Sequence, residues 1–304
     1  MSVQKAKLYG SRWTLVLYLM PALVLYSVLS FLPSLLSVIY SFNRWRGLVP
    51  LYGTFNHFIY YRRMFHDSVV LTGLENIGRA IVLMVGFSIP VGLGLAFILS
   101  RYVRGTTLFR TLFFIPQIVS IALIALVFRL FLTTDAGLNG FLKLVGLGGW
   151  IRPWLSQVGL APWIVNSPAA WMQVGFAVVL FVAAIRGIDG SLFEAAEVDG
   201  ATKWQQLWHV TLPAIRGMVV LVFAITVISA TQIYVFQLLM PTTPGGPFNT
   251  TQTVGSYGVG YTTASINYVS LPNFGYATAL SSLMCALSAV GAVLIFLVGK
   301  RRER

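Results

Sequence analysis

Charge is what this sequence has least of: 10% of its 304 residues are Asp, Glu, Lys or Arg, where a soluble domain carries roughly a quarter. Carboxylates are the scarcest, eight against twenty-one Lys and Arg, for a net charge of +13. In a water-soluble chain that balance would point to nucleic acid. Here the basic residues flank long apolar runs, so they set membrane orientation and no nucleic-acid partner is expected. A single cysteine, Cys285, excludes an internal disulfide, and no Cys/His spacing of the zinc type occurs. The sequence has no G-x-x-x-x-G-K-[ST] phosphate loop, so the chain is not expected to hydrolyse ATP itself. No Asp or Glu falls in the middle of an apolar run, which weighs against a proton-coupled secondary transporter. His57, His66 and His209 are scattered, so the cluster of acids, bases or metal ligands that a membrane enzyme needs is missing as well.

What is abundant is apolar length. A spanning helix needs about twenty mostly apolar residues, and six stretches qualify: 13–40, 78–99, 111–132, 168–186, 218–240 and 275–298. The expected fold is therefore all-α, a polytopic membrane protein of about six transmembrane helices, with residues 1–304 as one transmembrane domain. Lys5, Lys7 and Arg12 precede an apolar run longer than a signal peptide, read as a retained first span. Pro21 and Pro33 within it predict tilt or a kink. Trp150, Trp154 and Trp163 suit a membrane interface. Both termini are expected in the cytoplasm, because that arrangement gives the inner face thirteen basic residues and the outer loops six. The stretch from Pro241 to Tyr276 carries no charge, as suits a segment packed against the outer mouth.

Half of all the carboxylates lie in one inner loop: Asp189, Glu194, Glu197 and Asp199. From Gly190 to Pro213 the loop reads as two short helices. Ser191 with Glu194 makes a capping box, and Gly200 is placed to end the first helix in a left-handed conformation. Thr202 with Gln205 makes a second box, and Pro213 closes the second helix. Ala195 and Ala196 beside Leu192 and Phe193 give a face that another protein can approach. The residues alone leave a docking element and an amphipathic connector on the membrane surface equally open.

This loop resembles the coupling loop of importer permeases of the ATP-binding-cassette class. Their pattern is Glu-Ala-Ala, three residues, Gly, then about eleven residues to Leu-Pro. Glu194-Ala195-Ala196, Gly200 and Leu212-Pro213 match it, and Asp199-Gly200-Ala201 matches the carbohydrate-type form. The sequences Arg110 to Pro116, Pro244-Gly245-Gly246-Pro247 and Gly275-Tyr276-Ala277 are similar to maltose-type permeases in the same order. Two departures are a linker from Leu239 to Pro244 about two residues longer than in the maltose permease, and the absence of the large outer domain of some relatives. The resemblance implies a subunit without catalytic activity of its own, in which residues 189–213 dock on a separate ATPase that binds ATP and Mg. It further implies a second, non-identical permease, two ATP-binding subunits, an extracytoplasmic solute-binding protein, a carbohydrate-like solute and a location in the cell (inner or plasma) membrane. The alternative reading is a self-sufficient secondary transporter or channel for a small polar solute.

A carbohydrate needs hydroxyl partners and flat apolar faces. Trp171, Met172, Gln173 and Phe176 fall on or beside the positions that contact solute in the maltose permease. Thr231 and Gln232 do so with a one-residue gap. Buried amides in a span also glue neighbouring helices together, and both readings of Gln173 and Gln232 stand on the residues alone.

Overall fold

The computed structural model describes residues 12–45, 55–101, 106–133, 135, 137–263 and 272–301. Lys5, Lys7, Arg46, Arg104, Arg302 and Arg304, which enter the orientation argument, lie outside the described residues. In chain order the helices are α1 (Arg12–Tyr26), α2 (Leu32–Ser41), α3 (Ile59–Met64), α4 (Ser68–Leu83), α5 (Ile89–Arg101), α6 (Thr106–Ile118), α7 (Ile121–Thr133) and α8 (Leu138–Leu144). They continue with α9 (Ala161–Arg186), α10 (Gly190–Val198), α11 (Lys203–Gln206), α12 (Leu212–Ala214), α13 (Arg216–Thr231), α14 (Val235–Leu239), α15 (Val254–Thr263) and α16 (Phe274–Arg301). Among the described residues extended pairing is limited to one isolated bridge, Asn43 to Phe55.

Among the described residues five helical stretches are long and apolar enough to cross a membrane, and six when the bent pair α6–α7 counts as one. In lipid the backbone must satisfy its own polar groups, which is why the apolar runs become helices. Several expected bounds shift. The second span starts at Ser68 rather than residue 78, because Asp67 caps it by accepting the Val69 N–H. Its 33 residues reach roughly 50 Å at about 1.5 Å per residue, more than the ~30 Å hydrocarbon core. Glu75, which the later start would leave in the first outer loop, and Arg79 therefore both lie inside the helix, paired at 3.3 Å. The fourth span starts at Ala161 rather than 168, with Pro162 in its first turn and Pro168 inside it. The third is not one rod. Residues 111–118 and 121–133 meet at 98°, two residues after Pro116, whose ring removes a backbone donor from the ladder. The fifth, expected to run unbroken over 218–240, is interrupted between Thr231 and Val235.

Among the described residues three π-helical turns occur, Ser27–Phe31, Met84–Ser88 and Leu207–Thr211, and each ends two residues before a proline: Pro33, Pro90 and Pro213. The proline cannot donate to the carbonyl four residues back and its ring crowds that carbonyl. A wider i→i+5 turn upstream relieves both problems without ending the helix. The first span is deformed in this way, between its two prolines. Pro213, expected to close a helix, is instead carried inside α12, and the turn comes at Ile215.

The core is built around α9. Two-thirds of its apolar window (67%) is buried, against 28% or less for the other spans and 0% for the N-terminal one, which lies outside the packed core. Small residues let neighbours approach closely. At Gly175 a side chain would run into the Phe113 carbonyl of α6, so only glycine permits that crossing. Ser88 Oγ donates to the Ala170 carbonyl at 2.7 Å, fixing the second span against α9.

Candidate functional site

The helix α10 is held at both ends by local bonds. Its N-terminus is capped by Asp189, whose carboxylate accepts the Ser191 N–H at 3.0 Å. The expected box of Ser191 with Glu194 is not the cap, because the helix begins one residue earlier, at Gly190. These bonds to Ser191, first from its backbone and then its side chain, hold the Asp189 carboxyl below its ordinary pKa.

Gly200 has φ +75. Around it the Ala201 N–H donates to Ala196 O at 2.8 Å and the Gly200 N–H to Glu197 O at 3.1 Å. That is the paired closure of a Schellman turn. The next helix starts in the capping box expected from the sequence: Thr202 N–H donates to Gln205 Oε1 at 2.7 Å and Gln205 N–H to Thr202 Oγ1 at 3.3 Å. An exposed ion pair, Lys203 Nζ to Glu197 Oε1 at 2.8 Å, spans the turn.

Burial sorts the segment into root and free face. Phe193, expected on the approachable face, is 1% exposed and packs with Ile185, Leu207 and Ile215 in a core cluster of α9 and α5. Leu192, Glu194, Ala195, Val198 and Asp199 are exposed, with Val198 at 89%. Ala196 and Ala201 are half-buried behind them, as is Leu212, while Gly200 and Pro213 are exposed. Two exposed rings, Trp204 and Trp208, meet edge to face at 5.6 Å on the second helix. The exposed helix, with bare Leu192 and Val198, is thus joined to the bundle by one buried Phe.

The intramembrane residues divide differently. Gln173 is buried and its Nε2 donates to Thr226 Oγ1 at 2.8 Å, while Thr226 itself donates to Val222 O. Thr231 is buried, bonded to Ile228 O and to the Ser288 hydroxyl of α16. Met172 belongs to a core cluster with Ala230 and Ile233, and Phe176 is half-buried. Trp171 is exposed, its ring 5.9 Å from that of Phe128. Gln232 is exposed in the break of the fifth span, and its amide has no partner among the described residues. The structure thus brings Gln173 to the fifth span as a helix-to-helix bond and leaves Trp171 and Gln232 open.

Two further polar ties join distant parts of the chain. Asn76, 1% exposed, donates to both Thr250 O and Gln252 O at 2.6 Å and accepts from Arg79 Nη1. It stitches the second span to the turn that follows the fifth. Asp67 accepts from the hydroxyls of Tyr257 (3.1 Å) and Tyr276 (3.0 Å), tying α4, α15 and α16 at one end of the bundle. Asn76 lies beside Glu75 and before the apolar run expected at 78–99, so no signal in the sequence marked the first. Tyr-rich stretches gave none for the second.

Residues 88–304 match the family described as binding-protein-dependent transport system inner membrane component. Over 91% of its length the chain is 32% identical to 80% of a diacetylchitobiose uptake system permease protein of Streptomyces coelicolor. It is also 26% identical to a lactose transport system permease protein of Rhizobium radiobacter, over 94% of each chain. A subunit of a bacterial ABC transporter that imports the acidic polysaccharide alginate shares the fold, with a TM-score of 0.79 over 96% of each chain at 21% identity. The chain belongs to the family of inner membrane components of binding-protein-dependent transport systems, the permease subunits that the loop and the helical bundle point to.

Proposed function

We propose that this chain forms half of the translocation path of an ATP-driven importer for a sugar or related polyol, and couples that path to a separate ATPase through residues 189–213. The observation that carries the reading is the rooting of α10: Phe193 fixes the helix to α9 while Leu192, Glu194, Ala195, Val198 and Asp199 stand clear of the bundle. ATP and Mg bind to the partner, and this chain supplies no catalytic group. The remaining partners are a second, non-identical permease, a pair of ATP-binding subunits in all, and an extracytoplasmic solute-binding protein. Both termini are cytoplasmic, on the side where residues 189–213 meet the ATPase, in a multi-pass inner-membrane or plasma-membrane chain. The sugars in the names of the relatives support a carbohydrate as solute. Trp171 and Gln232, the exposed members of the set, meet the solute, together with Met172, Gln173, Phe176 and Thr231.

The test is reconstitution in proteoliposomes with the cognate ATPase and binding protein. ATP hydrolysis should rise with loaded binding protein, and an ATPase should follow the tagged chain through purification. Solute uptake by the pure chain down a gradient, without any ATPase, would overturn the reading.

A further inference from the structure

A second feature of the bundle involves none of residues 189–213. A cavity of about 470 Å³ opens between the end of α2, the short α3 and the start of α16, lined by Arg44, Asn56, Ile59, Tyr60, Arg63 and Asn273. Five of these six precede residue 88, where the family match begins. The cavity is therefore mostly a property of this chain's own N-terminal part.

Its lining carries two guanidinium groups. No carboxylate lines it. Arg44 is exposed and makes no hydrogen bond or ion pair among the described residues. Arg63 has one hydrogen bond, Nη2 to the Tyr261 hydroxyl at 2.9 Å, and its guanidinium lies 4.6 Å from the centre of the Tyr276 ring, which orients it. Asp67, one helical turn on, would be its natural counter-ion. That carboxylate accepts from Tyr257 and Tyr276 instead and reaches Arg63 only through the Tyr257 and Tyr261 hydroxyls, so the other guanidinium donors of Arg63 have no partner among the described residues.

Two buried groups have capacity to spare. Asn273 is 8% exposed; its oxygen accepts the Tyr276 N–H at 3.0 Å, and its NH2 has no partner among the described residues. Tyr60 is 7% exposed, and its hydroxyl likewise has none. Asn56 is spent on the backbone, bonding Ser41 O and the Phe58 N–H, and serves as scaffold. Two guanidinium groups, an amide and a phenol line one space that no carboxylate lines, a donor set that suits an anion.

The setting selects the anion. Exposed Phe58, Ile59 and Phe65 flank Arg63 on the same short segment, and exposed Leu35 and Ile39 lead along α2 toward Arg44. Apolar surface running up to a basic pocket at a span end is what a lipid's acyl chains and headgroup would cover. We propose that this cavity binds the phosphate of an anionic phospholipid headgroup, with the acyl chains along α2 and α3.

The experiment uses the purified importer complex, delipidated in detergent and supplied with phosphatidylglycerol, phosphatidylcholine or inorganic phosphate. Retained lipid is read by native mass spectrometry and heat stability by melting temperature. Phosphatidylglycerol should be retained and raise the melting temperature where phosphatidylcholine does not. Arg44→Gln should weaken that retention about tenfold, as for loss of one charge-assisted contact, and the Arg44→Gln/Arg63→Gln pair further. The exposed Arg152→Gln should leave it unchanged. Because the Arg44 side chain has no bond among the described residues, its replacement tests binding and not folding. Equal retention of the two lipids, undiminished phosphatidylglycerol binding in the double variant, or equal protection by inorganic phosphate would each overturn the proposal.

Discussion

Gln173 of the fourth span donates to the Thr226 hydroxyl of the fifth at 2.8 Å, with both side chains buried. This bond separates two amides that look alike in the sequence. Gln173→Leu removes a helix-to-helix bond worth about 0.6 kcal/mol and should lower the melting temperature of the assembled complex. Gln232→Leu touches an exposed, unpartnered amide and should alter uptake or solute preference at unchanged heat stability. Uptake per assembled complex, measured beside the melting temperature, checks both. Unchanged uptake per complex in Gln232→Leu would remove that residue from the path.

Gly200 tests the coupling segment. Its φ of +75 excludes ordinary side chains on conformational grounds alone, since nothing lies within 4 Å of where a Cβ would sit. The left-handed state costs an L-residue roughly 1–2 kcal/mol, and a β-branched one more. Gly200→Val should therefore lose copurifying ATPase and transport while insertion persists. Gly200→Asn, which tolerates that conformation, should keep most of both. Identical loss in the two variants would mean that shape at this turn is not what matters.

Asn76 should govern the turn after the fifth span. Asn76→Leu strips the donor from two carbonyls, Thr250 and Gln252, at about 1–3 kcal/mol for each group left buried. A cysteine placed at Asn249 should then react faster with a membrane-impermeant thiol reagent. The background must have Cys285 replaced, since that thiol is exposed. Labelling at Asn249 is expected from the outer side only, and labelling from the inner side would invert the proposed topology.

Asp189 gives the first coupling helix a dependence on pH. Its bonds to Ser191 lower its pKa in the folded chain, so the cap is fully present above the ordinary carboxylate value of about 3.9. It is lost as pH falls through the lowered folded value. Amide exchange across residues 190–198 should accelerate in that acid window. Asp189→Asn, an equally good cap, should abolish the acceleration and keep the helix, whereas Asp189→Ala should show fast exchange at neutral pH.

What the sequence determined by itself is whatever rests on neighbours along the chain. Apolar runs placed the spans because lipid leaves the backbone no partner but itself. Gly200 and the box of Thr202 with Gln205 were readable because a turn or a cap closes within a few residues. Even there, Asp189 took the role expected of Ser191, since two good capping residues lay two apart and only the chain's exit from α9 chose between them. Tertiary structure alone decided the 98° break after Pro116, the burial of Phe193, and the pairings of Gln173 with Thr226 and of Asp67 with Tyr276. Those last partners lie 53 and 209 residues apart. A 3.6-residue period says which residues share one helix face, but not how far each helix rotates against its neighbour. That rotation is fixed by close-packed contacts such as Gly175 against the Phe113 carbonyl, where a single added carbon would force the helices apart.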